Sequence, residues 1–162
     1  MANPIITKRL LLVQLEVEDA VALVDGRRPD GRQWAAGYPD DGALVSAGLV
    51  LTAAQGGRDL GPFGTYQIIR REDGAVIGAC GFQGPPDEMG AVRVGYGLAE
   101  SARRQGYATE ALRGLLRWAA AQDGLTAVIG DTTRTNVRSQ KVMTRAGMRL
   151  VGEDGELLYY MA

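Results

Sequence analysis

Six consecutive residues in the second half of the chain have the types that anion binding needs: Arg103, Arg104, Gln105, Gly106, Tyr107 and Ala108. Apolar residues recur at helical spacing directly after them, which predicts a helix over residues 107–121. The first turn of a helix exposes unpaired N–H groups and the positive end of the helix dipole. Because Gly106 and Ala108 leave room there and the arginines add positive charge, the run predicts a diphosphate site. An ordinary glycine turn before a helix is the structural alternative.

The spacing of these residues narrows the kind of phosphate ligand. The run lacks both the Gly-x4-Gly-Lys-Ser/Thr pattern of nucleoside-triphosphate loops and the Gly-x-Gly-x-x-Gly pattern of dinucleotide folds. A nucleotide-binding α/β domain therefore ranks only third among the interpretations. Tyr96, Gly97 and Leu98 end the strand that precedes the run, and glycines at 95 and 97 indicate a bulge, an edge bend or a close ligand approach.

The composition restricts which groups could transfer a proton. The chain has no histidine, which excludes Ser-His-Asp and Cys-His mechanisms and leaves zinc without its commonest ligand. A general base must then be a carboxylate, a tyrosine, a terminus or water. The single cysteine, Cys80, lies in an apolar run and is interpreted as a small buried side chain rather than a reactive thiol. We expect no metal and no internal disulfide.

The elements that must position these groups follow from periodicity and turn signals. Strands are predicted over residues 5–15, 65–71, 75–82, 91–98, 126–131, 149–153 and 156–161, and helices over residues 16–24, 44–54, 107–121 and 136–146. Asp-Gly pairs at 73–74 and 154–155 predict two hairpins. The order β-α-α-β-β-β-α-β-α-β-β predicts a single mixed α/β domain over residues 1–162, with a largely antiparallel central sheet.

Charge is distributed unevenly along the chain. Residues 101–149 hold nine basic and three acidic side chains, although the net charge of the whole chain is −1. A basic half within a mildly acidic protein favours a compact anionic ligand over a nucleic acid, and a solvated arginine face is the alternative. The sequence shows no signal peptide and no apolar run of roughly 20 residues, so we expect a cytoplasmic protein without a membrane partner.

Two motifs resemble those of one known family. Arg103, Gly106 and Ala108, in the spacing Arg-x-x-Gly-x-Ala, resemble the acetyl-CoA-binding motif of the GNAT acyltransferase superfamily. The helix that opens with Asn136 and Ser139 and closes with Ala-Gly-Met is similar to that of the branch containing the ribosomal-protein N-terminal (Rim-type) acetyltransferases. The Thr-Lys-Arg-Leu-Leu-Leu run at 7–12 also resembles that branch, so the resemblance covers essentially the whole chain.

The resemblance implies a GNAT-like fold of about six to seven strands and about four helices, with acetyl-CoA as co-substrate. It implies that the strand ending in Tyr96, Gly97 and Leu98 splays from the strand at 126–131 and pairs its backbone with the pantetheine arm. One N–H of that strand would polarise the thioester carbonyl. Asn136 and Ser139 would contact the same arm, although Asn136 is also a good helix N-cap.

The catalytic residues are less well defined by the resemblance. Asp131 matches the position of a catalytic glutamate in some relatives, but it could instead end a strand and pair with an arginine. Glu88 and Asp87, in the loop before residue 91, are alternative candidate bases. Many relatives place a tyrosine acid where this chain has Met143, and close-looking relatives often carry an acid where it has Arg93. A cation at this position would disfavour a positively charged acceptor and favour one that bears a carboxylate or phosphate.

The main functional expectation is an N-acetyltransferase that moves an acetyl group from acetyl-CoA to a primary amine by direct attack on the thioester. The acceptor would be a small molecule or a protein N-terminus, without a nucleic acid. Trp34 and Tyr38, in a predicted loop over residues 26–42, would either line the acceptor pocket or pack on the core. The alternative function is a non-catalytic acyl-CoA-binding module. The branch is compatible with a homodimer.

Overall fold

The computed structural model describes residues 2–28 and 31–162, and in these ranges the chain forms eight strands and four α-helices. The strands are β1 (Ile5–Ile6), β2 (Leu10–Gln14), β3 (Thr65–Arg70), β4 (Val76–Phe82), β5 (Ala91–Leu98), β6 (Ala127–Thr133), β7 (Arg149–Asp154) and β8 (Leu157–Met161). The helices are α1 (Val17–Val24), α2 (Asp41–Gln55), α3 (Tyr107–Ala120) and α4 (Val137–Ala146), with short 3₁₀ helices at Gly61–Phe63 and Glu100–Ala102.

The strands form one sheet in the order β1-β2-β3-β4-β5-β6-β8-β7. Neighbouring strands are antiparallel except for β5 and β6, which are parallel and are connected through α3. The parallel ladder joins only residues 91–93 to residues 127–129. Beyond it β5 continues to Leu98 and β6 to Thr133, with no ladder between them in the described residues. We call this opening the β5–β6 gap, and it confirms the predicted splay of the two strands.

The two faces of the sheet carry separate apolar cores, because successive residues of a strand point to opposite faces. On one face, the α3 face, Leu12 packs with Leu115 of α3 in the larger core. On the other, the α2 face, Leu11 packs against a second core that contains Leu23 of α1 and Ala47 of α2. Leu12 and Leu115 are fully buried, and burying each such side chain contributes about 1.5–3 kcal/mol.

The prediction of one strand over residues 5–15 is wrong, because a turn divides this segment into β1 and β2. Thr7 N–H donates to the Leu10 C=O (2.9 Å), and Leu10 N–H donates to Thr7 Oγ1 (3.0 Å). The polar residues Thr7, Lys8 and Arg9 interrupt the apolar residues at this turn. The extra strand raises the count from the expected six to seven to eight in the described part of the chain. The mixed, largely antiparallel class and both Asp-Gly hairpins are confirmed.

The start of α2 also differs from the prediction. The helix begins at Asp41, three residues earlier than predicted. Met1 of the predicted domain, and residues 29 and 30 of the predicted 26–42 loop, lie outside the described residues. The helices of the described ranges are all too short or too polar to cross a membrane.

Candidate functional site

The β5–β6 gap exposes backbone groups of β5. Gln83 N–H donates to the Arg93 C=O (2.9 Å), so the odd-numbered residues of β5 direct their peptide groups toward β4. The β4–β5 register is regular, and peptide groups alternate between the two edges of a strand. The pairing of Arg93 with Ile129 directs Val94 N–H to the Ile129 C=O, so this N–H belongs to the parallel ladder. The C=O of Val94 and the N–H and C=O groups of Tyr96 and Leu98 therefore point into the gap, where an extended ligand could pair with them.

The turn that opens α3 lies just beyond the end of β5. Arg103 Nε donates to the Leu98 C=O (3.2 Å), which ties this turn to the strand. Arg104 and Gly106 both have left-handed backbone conformations, with φ of 65° and 82°. Gly106 occupies the N-cap position of α3, and no side chain of the described residues caps this end. The first-turn N–H groups, beginning with Tyr107, are therefore free to bind an anion.

Thr7 and Arg9, in the turn between β1 and β2, donate hydrogen bonds to Glu110 in the first turn of α3, and we call these contacts the Arg9 clasp. Glu110 Oε1 accepts hydrogen bonds from Thr7 Oγ1 and Arg9 N–H, and its Oε2 accepts one from Arg9 Nε, each at 2.7 Å. Arg9 also donates to the Gln105 C=O (2.9 Å) and lies 4.3 Å from the Tyr107 ring centre. Burial raises the pKa of Glu110, but the bonds from Thr7 and Arg9 outweigh it and lower this pKa. Arg9 was missed as a site residue.

A cleft of about 250 Å³, which we call the α4 cleft, lies between the end of β5 and α4. Its lining residues are Tyr96, Gly97, Leu98, Arg103, Ala108, Asn136, Arg138, Ser139 and Val142. The Tyr96 hydroxyl lies 2.7 Å from Ser139 Oγ and donates to the Ser139 C=O (3.1 Å). Burial raises the pKa of Tyr96, against an opposing hydrogen bond with Ser139. Asn136 Oδ1 accepts the Ser139 N–H (3.1 Å), so the predicted N-cap is confirmed.

The structure brings most of the predicted cofactor residues to the α4 cleft or to the turn beside it. Tyr107 differs, because its ring is buried in the α3-face core and only its backbone belongs to the turn. Gln105 is exposed and donates to the Ser101 C=O (3.4 Å). Arg138 lines the cleft but was not predicted as a site residue, although the cluster of basic residues was a signal. A larger groove, about 930 Å³, runs along α3 from Gly106 and includes none of the gap residues.

The candidate bases Asp131 and Glu88 lie in different places. Asp131 Oδ1 lies 3.2 Å from Arg93 Nη1, so the predicted pairing of Asp131 with an arginine is observed. Asp131 does not end its strand, because β6 continues to Thr133. About half of the Arg93 side chain is exposed, so this pair is accessible to solvent. Glu88 is exposed on the turn before β5, at the end of the strand opposite to Leu98. The structure therefore does not bring Glu88 to the gap.

A second, smaller cleft of about 130 Å³, the α2 cleft, lies between α2 and the centre of the sheet. Its lining residues are Gly42, Val45, Ser46, Leu49, Thr65, Ala79, Cys80, Gly81, Phe82, Gln83, Gly95, Tyr96 and Gly97. Trp34 and Tyr38 do not line it but pack edge-to-face on the second core, with ring centres 5.6 Å apart. Burial raises the pKa of Tyr38 to about 12, with a further increase from the negative charge of Asp40 and a decrease from the Gln67 hydrogen bond.

Two buried residues bear on the remaining expectations. Met143 is fully buried in the α3-face core, so α4 offers no hydroxyl acid at this position. Burial raises the pKa of the Cys80 thiol, which keeps it neutral. Within residues 2–28 and 31–162 no cluster of three or more His, Cys, Asp or Glu side chains could hold a metal ion.

Comparison with protein families identifies a match for most of the chain. The family model described as the acetyltransferase (GNAT) domain matches residues 9–149. A curated relative, the uncharacterized N-acetyltransferase YjdG of Bacillus subtilis (strain 168), is 28% identical over 99 residues. That match covers 61% of this chain and 59% of the relative, so the chain matches about three-fifths of the relative's length.

Solved structures with the same fold include two acetyltransferases. One, from Agrobacterium tumefaciens str. C58, has a TM-score of 0.69 and 24% identity, covering 100% of this chain and 95% of its own. The other is RimL, a ribosomal L7/L12 alpha-N-protein acetyltransferase in complex with coenzyme A, with a TM-score of 0.69 and 19% identity. It covers 99% of this chain and 97% of its own. At these identities the similarity establishes the shared fold.

Proposed function

The chain belongs to the GNAT acetyltransferase family, and from this membership we propose that it transfers an acetyl group from acetyl-CoA to a primary amine. One observation carries the proposal: the open backbone edge of β5 leads directly to the uncapped start of α3. An acyl carrier needs both features, because its arm is an extended amide chain and its other end is a diphosphate. A ligand with only one of these parts would leave half of the site unused.

The placement of acetyl-CoA follows from these two features. The diphosphate would accept hydrogen bonds from the first-turn N–H groups of α3, with Arg103 and Arg104 nearby as counter-charges and Gln105, Gly106 and Ala108 forming the turn. The pantetheine arm would enter the α4 cleft and pair with the peptide groups of Tyr96 and the N–H of Leu98 at the gap. Asn136 and Ser139 line the opposite wall of that cleft.

The reaction requires stabilisation of a developing oxyanion and an exit for the thiolate. The N–H of Tyr96 points into the gap and could donate to the thioester oxygen as the amine attacks. The C–N bond forms, the C–S bond breaks, and CoA leaves as a thiolate, which is a tolerable leaving group because a thiol pKa is near 8.5. The attacking nitrogen loses a proton to a base or to water. Asp131 and Glu88 stay predictions for that base.

The acceptor class is the less defined part of the proposal. RimL, which shares the fold, is described as an alpha-N-protein acetyltransferase, and this supports a protein N-terminus as one acceptor class. Small-molecule amines form the other class, because the α2 cleft is compact. Arg93 is paired with Asp131, which weakens the earlier reason to expect an anionic acceptor. A homodimer stays a prediction.

A screen of primary amines with acetyl-CoA, read out by release of free thiol, tests the proposed activity. Two variants at the α3 turn test the cofactor placement. Gly106→Glu should abolish CoA binding, because a carboxylate would occupy the anion site. Gly106→Asn is the matched control, since asparagine tolerates the same left-handed backbone without adding charge. Equal CoA affinities for the two variants, measured by calorimetry, would show that the diphosphate binds elsewhere.

The non-catalytic module is the second candidate, and one observation favours it. The position where many relatives carry a tyrosine acid is filled by the fully buried Met143. Acetyl-CoA binding without thiol release across the amine panel would support this module over the enzyme. Thiol release that depends on an added amine would exclude it.

A further inference from the structure

The ion pair of Arg93 and Asp131 lies at the start of the β5–β6 gap. Arg93 is the last residue of β5 in the parallel register, where it pairs with Ile129, and Asp131 lies two residues farther along β6. The 3.2 Å contact between Arg93 Nη1 and Asp131 Oδ1 therefore bridges the two strands where they begin to separate. A ligand that enters the gap on this side of the sheet passes beside a guanidinium and a carboxylate.

Both side chains of this pair point to the α2 face of the sheet. Val92 and Val94, which alternate with Arg93 along β5, are buried in the α3-face core, and Val128 of β6 is buried there too. The α4 cleft, which we assign to the pantetheine arm, lies on the same side as that core, against α4. Since β5 and β6 are neighbours in the sheet, no strand separates the pair from a ligand held in the gap.

The surface of β5 next to the pair is open. The residues that follow Arg93 on this face are Gly95 and Gly97, which have no side chain to cover the gap. Apart from the adjacent residues, a Cβ on Gly95 would approach only Gln83 Nε2 among the described atoms, at 3.7 Å, so packing does not exclude a side chain there. Because 51% of the Arg93 side chain and 32% of the Asp131 side chain are exposed, a small ligand can contact both.

The charges of the pair select between kinds of ligand. A guanidinium carries several N–H donors and a carboxylate accepts on both oxygens, but within the described residues the pair uses only one atom of each. A simple amine is attracted by Asp131 and repelled by Arg93, and a simple anion experiences the reverse. A ligand that carries both an ammonium group and an anionic group is attracted at both ends. The pair is therefore complementary to a zwitterion.

We propose that Arg93 and Asp131 bind a zwitterionic acceptor, a free α-amino acid, with its carboxylate on Arg93 and its ammonium group on Asp131. This assignment rests on the proposed acetyl transfer and names the class of its small-molecule acceptor. The two charges of an α-amino acid are attached to one carbon, so they can lie beside two side chains whose charged atoms are 3.2 Å apart. A peptide N-terminus has an amide in place of that carboxylate, so the pair favours the free amino acid.

Comparison of the standard α-amino acids with their own amides tests this recognition. Each amide keeps the side chain and the ammonium group but lacks the carboxylate charge. With acetyl-CoA and release of free thiol as the readout, we expect at least one amino acid to have a kcat/KM about 10-fold or more above that of its amide. If no amino acid is a better acceptor than its amide, the assignment is wrong, although acetylation of the amides would leave the acetyl transfer intact.

Single variants of the two residues should shift this preference in opposite directions. Arg93→Gln removes the positive charge, so the ratio of kcat/KM between acid and amide should fall to about 1. Asp131→Asn frees the guanidinium from its partner, so the ratio should rise while the rates with both substrates fall. Arg134→Gln, which breaks an exposed ion pair with Glu153, is the matched control and should leave the ratio unchanged. Unchanged ratios in both test variants, or shifts in the same direction, would overturn the assignment.

Binding to the CoA-loaded protein separates this assignment from the acetyl transfer. If the chain releases no thiol with any amine, the transfer proposal fails, and NMR titration with the same pairs of acids and amides then measures the recognition by itself. Tighter binding of an amino acid than of its amide, lost in Arg93→Gln and kept in Arg134→Gln, would support the zwitterion site. Equal binding of acid and amide, or no binding of either, would overturn it.

Discussion

Replacement of Glu110 by glutamine should show how much the Arg9 clasp contributes to the free energy of unfolding. The carboxylate accepts three hydrogen bonds of 2.7 Å, two of them from Arg9. In Glu110→Gln an amide NH2 group replaces one carboxylate oxygen, so one of these hydrogen bonds becomes a contact between two donors. The charge attraction to the Arg9 guanidinium is also lost. A hydrogen bond to a charged group contributes about 1.5–3 kcal/mol. Since 41% of the Arg9 side chain is exposed, solvent screening reduces the expected loss to about 1–2 kcal/mol.

Thermal unfolding followed by circular dichroism measures this loss. For a chain of this size, about 1–2 kcal/mol corresponds to a decrease in Tm of about 2–8 °C near neutral pH. The folded-state pKa of Glu110 is lowered, so its stabilisation is present above the ordinary glutamate pKa and is lost as the pH falls through the folded-state value. The difference between the two proteins should therefore shrink below about pH 4.

Glu153→Gln provides the matched control for this measurement. Glu153 pairs with Arg134, but 60% and 45% of the two side chains are exposed, so the change should stay within about 0.5 kcal/mol. If Glu110→Gln is no more destabilising than Glu153→Gln, the clasp does not stabilise the fold. If its Tm difference is the same at about pH 3 and about pH 7, the stabilisation does not come from the ionised carboxylate.

Three further predictions concern single positions. Asn136→Ala removes the side-chain acceptor for Ser139 N–H and should lower the free energy of unfolding by about 1 kcal/mol in urea titrations; no change would mean that the cap is not needed. Gly78→Ala would place a Cβ onto the Gly97 C=O and should cost about 1–3 kcal/mol in the same assay. Cys80 should react with a thiol reagent at about pH 8 only after unfolding, because it is buried and its pKa is raised; rapid labelling of the folded protein would contradict this.

The parts of the fold that could be predicted from sequence are those encoded by local patterns. The apolar spacing of α3 and the Asp-Gly turns are properties of a few consecutive residues, and the elements they predict are present. The turn at Thr7 was missed although Thr7, Lys8 and Arg9 interrupt the apolar residues there. Three polar residues are compatible with a continuous strand, and the turn is fixed by the hydrogen bond from Leu10 N–H to Thr7 Oγ1.

The candidate site shows the same division between local and distant signals. The α3 turn and the Asn136 cap are each formed by residues that are close together in sequence, so both could be identified from the sequence. The Arg9–Glu110 clasp joins positions 101 residues apart, and the pairing of Arg93 with Asp131 joins positions 38 apart. Such contacts follow from the order of strands in the sheet, which periodicity does not determine.

The glycines of β5 connect the sequence signal to the site. Glycines at 95 and 97 predicted a bulge, an edge bend or a close approach, and the regular register between β4 and β5 rules out a bulge in that ladder. The edge bend and the close ligand approach stay predictions. A Cβ at Gly97 would lie 3.4 Å from Asp40 Oδ2, which is ordinary van der Waals contact, so the start of α2 borders the strand here. Because Gly97 also lines the α4 cleft, this glycine has the start of α2 on one side and the proposed ligand cleft on the other.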